Sequence, residues 1–193
     1  MRIFASIFAS LTLLAVSASA QAPVPIGPRN VKIEKISPAF LTTPEFTIRG
    51  TPDKRSPALK WFEIEVEFAV EGVELVDELS FRYDVLMNGK LYPGDITHVN
   101  IPKGNARYSV MYISPRTLER IAGVGKPLHP GMIENIWVTI SKQGQVLAIS
   151  SWKDKGKPVP NYAQTPGMLL PKSETPFQVL WWDRYEAVRV PSR

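Results

Sequence analysis

Three glutamates alternate along one stretch of the sequence, at Glu63, Glu65 and Glu67. Side chains two residues apart on a β-strand point the same way, so these carboxylates would stand roughly 6–7 Å apart. Such a row would suit a calcium ladder or a pair of carboxylates for general acid–base chemistry. Calcium loops add Asp, Asn and Gly residues that this stretch lacks. We therefore expect the glutamates to face solvent and to meet Arg82 or a lysine across the sheet.

Aromatic side chains near the C-terminus are the second group able to do chemistry. Trp181 and Trp182 are adjacent, and Trp152 and Tyr162 precede them. Adjacent residues of a strand point to opposite faces, so at most one of the two neighbouring tryptophans can enter the core. The other would lie under the Pro-rich segment before it or would contact a ligand, since aromatic rings anchor interfaces and stack on sugars. These four residues are the candidate contacts for a protein partner or a glycan.

The histidines and cysteines give no support to a catalytic or metal site. The chain has no cysteine, and its two histidines, His98 and His129, lie far apart without the spacing of metal ligands. Nucleophilic catalysis would need a serine and an acid beside a histidine, yet no G-x-S-x-G sequence occurs, and Ser114 is explained as a helix cap. The glycines do not follow nucleotide-binding spacing, and no nucleic-acid motif is present. We expect a protein that is not an enzyme and has no cofactor.

The elements that position these residues are predicted to be β-strands. Apolar residues alternate strictly from Phe62 to Val70 and from Leu79 to Met87, which is followed by the strong hairpin signal Asn88-Gly89. Further strands are predicted from Asn30 to before Pro38, at 45–49, from Leu91, at 108–112, 136–140 and 146–152, and as a closing strand at 177–190. About eight short strands, mostly antiparallel, predict an all-β, Ig-like antiparallel β-sandwich of about seven to nine strands.

One short helix and one long loop interrupt the strands. Ser114 can cap a helix that has Pro115 at its first position and Gly123 after its end. Leu118 and Ile121 would lie on one side of this helix. Residues 153–176 are rich in Pro, Lys and Gly and predict a long loop, which could face a partner.

The first twenty residues have the pattern of a secretory signal peptide. Arg2 precedes an apolar run from Ile3 to Val16, and small residues follow at 17–20. The run is shorter than the roughly 20 apolar residues that span a membrane. We expect cleavage after Ala20, export through the Sec pathway, and a mature chain without a membrane span. Its location would be periplasmic, associated with the outer membrane, or extracellular.

The remaining composition is that of one globular domain. The net charge is +5, with basic and acidic residues interspersed, and 18 prolines disfavour long helices. Residues 21–29 predict a flexible Pro-rich lead, and residues 30–193 predict a single domain. The sequence leaves the oligomeric state open.

Three segments resemble a known group of proteins: Asn30-Val-Lys-Ile-Glu-Lys-Ile-Ser-Pro38, Leu59-Lys-Trp-Phe-Glu-Ile-Glu-Val-Glu-Phe68 and Trp181-Trp-Asp-Arg-Tyr185. Together with the signal peptide, they resemble the secreted pilus-like protein family of Akkermansia-type Verrucomicrobia over nearly the full length. The resemblance implies an Ig-like fold, a type IV pilus-associated locus and a non-enzymatic role. It supplies no site residues.

The sequence departs from that of a type IV pilin. A pilin keeps a long apolar helix after its processing site and usually a Glu at the fifth mature position, whereas here the apolar run precedes the predicted cut and that position is Pro25. The main hypothesis is therefore an accessory structural or adhesive component that contacts a pilus-related or host-surface protein. The alternative is a carbohydrate-binding module that uses exposed Trp and Tyr residues.

Overall fold

The computed structural model describes residues 26–46, 50, 58–123, 125–154 and 158–189. The predicted signal peptide lies outside the described residues. Within them, the elements in chain order are β1 (Val31–Thr42), β2 (Lys60–Met87), β3 (Lys90–Ile113), α1 (Pro115–Ala122), β4 (Ile133–Lys142), β5 (Gln145–Ser151) and β6 (Leu169–Pro171). Two 3-10 turns lie at Pro130–Met132 and Lys172–Glu174.

Strands β2 and β3 are long enough to take part in two layers. Residues 60–70 of β2 pair with β1 and with the end of β3, and these strands form the first layer together with β6. Residues 75–87 of β2 pair with the beginning of β3 and with β4, and these strands form the second layer together with β5. Register shifts between Phe68 and Leu75 separate the two halves of the hairpin. Every strand pair is antiparallel.

The two alternating apolar runs of β2 meet in one core. Phe62 to Val70 supplies the inner face of the first layer, and Leu79 to Met87 supplies that of the second. The rings of Phe68 and Phe81 lie 4.9 Å apart, centroid to centroid, between the layers. The predicted antiparallel β-sandwich with one short helix is confirmed. The described strands number six, or eight when the halves of β2 and β3 are counted separately.

The predicted turn and helix signals are also confirmed. Asn88 and Gly89 have φ angles of 49° and 65°, the left-handed values that a tight hairpin turn requires. In α1, the Ser114 hydroxyl oxygen accepts a hydrogen bond from the Thr117 N–H at 3.3 Å. The Gly123 N–H donates to the Glu119 carbonyl oxygen at 2.8 Å and ends the helix.

Several predicted strand boundaries were wrong. β1 does not stop before Pro38, because it is an edge strand, where a proline is tolerated. The runs at 62–70 and 79–87 are one strand and not two, and the strands predicted from Leu91 and at 108–112 are likewise one strand, β3. The short strand predicted at 45–49 is absent at its described residues 45 and 46, and the rest of it lies outside the described residues.

The predicted closing strand at 177–190 was also wrong. The described part of this range forms consecutive turns, and its one β-bridge joins Val188 to His98. We call residues 175–189 the C-terminal segment. It folds over the outer face of the first layer, where Trp61, Val110 and Tyr112 pack with Phe177 in a second apolar cluster. The chain turns repeatedly because it follows this apolar surface and does not extend a ladder.

The segment before it, predicted as a long loop at 153–176, contains β6 and the second 3-10 turn in its last third. Its earlier part lies against the outer face of the second layer. There Val159 packs on a small apolar cluster of Leu86, Leu91 and Trp137. Chain segments without long strands therefore cover part of both outer faces of the sandwich.

Candidate functional site

The C-terminal segment is attached to the first layer through Glu65. The Arg184 guanidinium donates two hydrogen bonds to the Glu65 carboxylate, each at 2.8 Å, and the Tyr185 hydroxyl donates a third at 2.9 Å. The guanidinium also lies 3.8 Å from the ring centroid of Tyr108. The bonds from Arg184 hold the pKa of Glu65 below its usual value. This bidentate pair fixes the segment in one register on the sheet.

The predicted pairing of the glutamate row with Arg82 was wrong. Arg82 lies in the second layer, where it contacts Asp84 at 3.1 Å and Asp95 at 3.7 Å. The glutamate row faces outward from the first layer, and the C-terminal segment brings Arg184 to it from 119 residues further along the chain. The row is therefore partly covered and not a solvated face.

Glu63 has a different environment from Glu65. Its carboxylate accepts a hydrogen bond from the Tyr112 hydroxyl at 2.8 Å. Burial raises the pKa of Glu63, and within the described residues no cation forms a salt bridge with it. Glu63 is thus an acidic group beside the segment without a positive partner of its own.

These side chains form a cleft of about 330 Å³, which we call the aromatic cleft. Its lining combines carboxylates, a guanidinium and aromatic rings: Leu41, Glu63, Glu65, Trp181, Arg184 and Tyr185. Trp181 has a φ angle of 49°, which is rare for a bulky residue, and its side chain is half-exposed. A flat aromatic surface beside carboxylates can stack on a ring and accept hydrogen bonds from hydroxyl groups.

The four predicted contact residues are not brought together. Trp181 lines the aromatic cleft, and Trp182 beside it is 80% exposed. Tyr162 is exposed in the segment that pairs with the edge of β3 in the second layer, through the Ala163 carbonyl oxygen. Trp152 follows β5 and packs against the main core. Only the two adjacent tryptophans share a surface.

A buried polar chain links the two layers at His98. The Tyr83 hydroxyl donates to the Ser109 hydroxyl oxygen at 2.6 Å, and that oxygen lies 2.7 Å from Nε2 of His98. Nδ1 of His98 lies 3.1 Å from the Glu186 carbonyl oxygen in the C-terminal segment. Nδ1–H therefore donates to the carbonyl while Nε2 accepts from Ser109. Burial lowers the pKa of His98 to about 4.

No sequence motif indicated this serine–histidine contact, because Ser109 lies on the inner face of β3 among apolar neighbours. Ser109 has no exposed surface, and His98 is 1% exposed. The partner of Nδ1 is a main-chain carbonyl and not a carboxylate. The geometry is that of a satisfied core network joining three parts of the fold.

The part of the chain that the structure describes contains no group of three or more His, Cys, Asp or Glu placed to hold a metal ion. In that same part, no helix is both long and apolar enough to cross a membrane.

Comparison with known proteins places the chain in a family. One protein-family model matches residues 24–192. The chain belongs to this family. A crystal structure of a protein from Akkermansia muciniphila is similar, with 25% sequence identity and a TM-score of 0.73, and the match covers 84% of this chain and 94% of that one. No curated protein matches. The predicted likeness to Akkermansia proteins is confirmed at the level of family and fold.

Proposed function

We propose that the protein is a non-enzymatic structural or adhesive component of a type IV pilus-like surface system. It would act as an Ig-like module that contacts another protein or a host surface through the C-terminal segment. The pilus link comes from the sequence resemblance, and membership of a family with a similar Akkermansia structure supports it. The observation that carries the proposal is the exposure of Trp182 on an anchored segment.

The exposed side chains around Trp182 have the chemistry of a binding surface. Trp182 is 80% exposed, and Val179 and Trp181 beside it are also exposed. Tryptophan is enriched among the residues that dominate binding energy, and a tryptophan left in water has apolar surface to bury. The Arg184–Glu65 pair holds the segment in place, so little ordering entropy remains to be lost on binding.

The test is recovery of partners from envelope fractions of the producing cells, with the purified protein as bait. We expect Trp182→Ala to reduce recovery of a specific partner by about tenfold or more, the usual loss at a binding hot spot. Tyr162→Ala is the matched control, because it removes an exposed aromatic residue from the other layer. Equal recovery with both variants, or no specific partner at all, would contradict the proposal.

A carbohydrate-binding function is the second candidate, and the aromatic cleft favours it. Trp181 could stack on a sugar ring while Glu63 accepts hydrogen bonds from its hydroxyl groups. A glycan array separates the two candidates. Binding that is lost in Trp181→Ala and in Glu63→Gln supports a sugar site, whereas no glycan binding by the parent protein removes it.

The expected export has its own test. We propose that the protein leaves the cytoplasm and that its signal peptide is cleaved after Ala20 during export. Mass spectrometry of the N-terminus in each cell fraction gives the processing site and the location together. An intact N-terminus in the cytoplasmic fraction would exclude a role at the surface.

A further inference from the structure

A second cleft, of about 400 Å³, lies between the β2–β3 hairpin turn, the end of α1 and the chain before β6. We call it the hairpin cleft. The residues that matter for its chemistry are Lys90, Tyr92, Arg120, Thr165 and Met168. The lining contains two basic side chains and no acidic one.

The walls of the hairpin cleft are tied together by hydrogen bonds. The Asn88 side-chain amide donates to the Ile121 carbonyl oxygen at 2.8 Å, which joins the hairpin turn to the end of α1. The Thr165 N–H donates to the Leu91 carbonyl oxygen at 2.8 Å, which holds the third wall against β3. The cleft is therefore formed before any ligand binds.

The two cations of the cleft lack acidic partners among the described residues. Lys90 forms no salt bridge there, and the nearby Glu134 carboxylate accepts instead from the Gly89 N–H at 2.9 Å. The contact found for the Arg120 guanidinium is the thioether sulfur of Met168 at 2.6 Å, and sulfur is a weak acceptor. Both cations are free to bind an anion.

Tyr92 adds a hydrogen-bond donor to the cleft. It is only 6% exposed, its ring belongs to the main core, and it also lines the cleft. Its hydroxyl is not one of the buried polar atoms that lack a partner in the described part of the chain, so it is open to the solvent of the cleft. Burial raises the pKa of Tyr92, so the hydroxyl keeps its proton and can donate at neutral pH. An anion in the cleft can accept this hydrogen bond in place of water.

We propose that the hairpin cleft binds an oxyanion: a sulfate, phosphate or carboxylate group, free or carried by a compact ligand such as a sugar. The Lys90 ammonium and the Arg120 guanidinium supply positive charge, and the Tyr92 hydroxyl donates a hydrogen bond from the buried side. The site is distinct from the aromatic cleft, which has carboxylates in its lining. The excess of basic over acidic residues favours the approach of such ligands.

The test is an NMR titration of the purified protein with sodium sulfate and with sodium phosphate at constant ionic strength. We expect saturable shifts confined to the walls of the cleft. The double variant Lys90→Gln/Arg120→Gln should weaken binding by about tenfold or more. Tyr92→Phe should also weaken it by about tenfold, because a hydrogen bond to a charged group is worth at least about 1.4 kcal/mol, which is a tenfold change in affinity. Shifts that do not saturate, or that are unchanged in the double variant, would overturn the proposal.

Two controls complete the experiment. Lys103→Gln removes a positive charge near the bend of the β2–β3 hairpin, outside the cleft, so it should bind sulfate as the parent does. If Lys103→Gln weakens binding as much as the double variant does, the effect comes from net charge alone and the site is refuted.

A comparison of glucuronate with glucose identifies the source of the oxyanion. Tighter binding of glucuronate than of sulfate indicates a sugar acid. Binding of sulfate but not of glucuronate indicates a free ion. Binding of glucose as tight as that of glucuronate contradicts an oxyanion site.

Discussion

Two glutamates on the same face of β2 have opposite electrostatic environments. Glu65 is bonded to Arg184 and Tyr185, and these bonds lower its pKa, whereas burial raises the pKa of Glu63. A lowered carboxyl pKa in the folded state stabilises the fold at neutral pH, and a raised one does the reverse. The same residue type thus stabilises at one position and destabilises at the other.

We predict that Glu65→Gln lowers the free energy of unfolding by about 1 kcal/mol at pH 7, a small value because the ion pair is partly exposed. The contribution of Glu65 is present above the pKa of an unfolded glutamate and is lost as the pH falls through its lowered folded value. Urea unfolding at pH 7 and at acidic pH measures both. Glu63→Gln is the matched control and should be neutral or slightly stabilising at pH 7. A larger loss in Glu63→Gln would refute this assignment.

His98 gives the second prediction at this scale. Its folded pKa of about 4 lies below the usual histidine value of 6.5, so the unfolded chain binds the proton more readily between these values. The contribution of His98 to the free energy of unfolding is fully present above about pH 6.5. It decreases by up to about 3 kcal/mol as the pH approaches 4. We expect urea unfolding of the parent to show this slope and His98→Gln to lose it. His129→Gln, at the exposed histidine, should keep it, and NMR titration of the His98 ring gives its pKa independently.

At the scale of elements, β6 shows how one glycine permits a contact between layers. Leu169 begins β6 at the edge of the first layer and is buried in the main core. Gly94 lies on β3 in the second layer, opposite Tyr83. A Cβ atom on Gly94 would lie 2.5 Å from the Cβ of Leu169, which is closer than two carbon atoms can approach. The absence of a side chain at Gly94 therefore allows β6 to dock.

We predict that Gly94→Ala destabilises the protein by about 1–3 kcal/mol, the usual result of overpacking. If the clash with Leu169 is the cause, Leu169→Ala should offset part of the loss, giving a coupling of about 1 kcal/mol in a double-mutant cycle. Gly144→Ala serves as the control, because its added Cβ meets no atom within 4 Å. Gly144→Ala should lose stability through its φ angle of 82° without any coupling to Leu169.

The sequence predicted the elements better than their connections. Alternation identified the apolar faces at 62–70 and 79–87, and Asn88-Gly89 and Ser114 located a turn and a helix, because these signals are local. Alternation could not show that one strand continues through residues 71–78 into a second layer. It also could not show that the outer face with Tyr112 is covered, since the covering residue Phe177 is distant in sequence.

The candidate site was predicted only in part. The prediction that at most one of Trp181 and Trp182 enters the core agrees with the structure, in which both are exposed, but its premise of a strand was wrong. The cleft beside them depends on Arg184 meeting Glu65. Spacing along one strand says nothing about a partner 119 residues away. The hairpin cleft was not predicted for the same reason, because its walls come from three separate parts of the chain.

At the scale of the whole molecule, the C-terminal segment completes a second apolar cluster on the outer face of the first layer. Phe177 is 2% exposed, its ring stacks on Tyr112 with centroids 5.0 Å apart, and it meets Trp61 edge-on at 5.8 Å. The polar contacts of Arg184 with Glu65 and of Glu186 with His98 attach the same segment to the sheets. The segment is therefore part of the folded domain and not an appended tail.

We predict that Phe177→Ala lowers the free energy of unfolding by about 3–5 kcal/mol, as expected for a buried phenylalanine. The segment should loosen, and the near-UV circular dichroism of the tryptophans should change with it. Guanidinium chloride unfolding measures the stability. Val179→Ala, in the same segment at 65% exposure, should change stability by less than about 0.5 kcal/mol. Similar losses in the two variants would show that Phe177 is not an anchor.

The covering of the first layer by the end of the chain also has a consequence for the timing of folding. The contacts from Arg184 to Glu65 and from Glu186 to His98 join residues 119 and 88 positions apart. Contacts of such long sequence separation form late and slow the folding of β-proteins. Because Phe177 follows Trp61 and Tyr112 in sequence, these two side chains lack their packing partner until the C-terminal segment has folded. Until then, their exposed aromatic surface can associate with other chains.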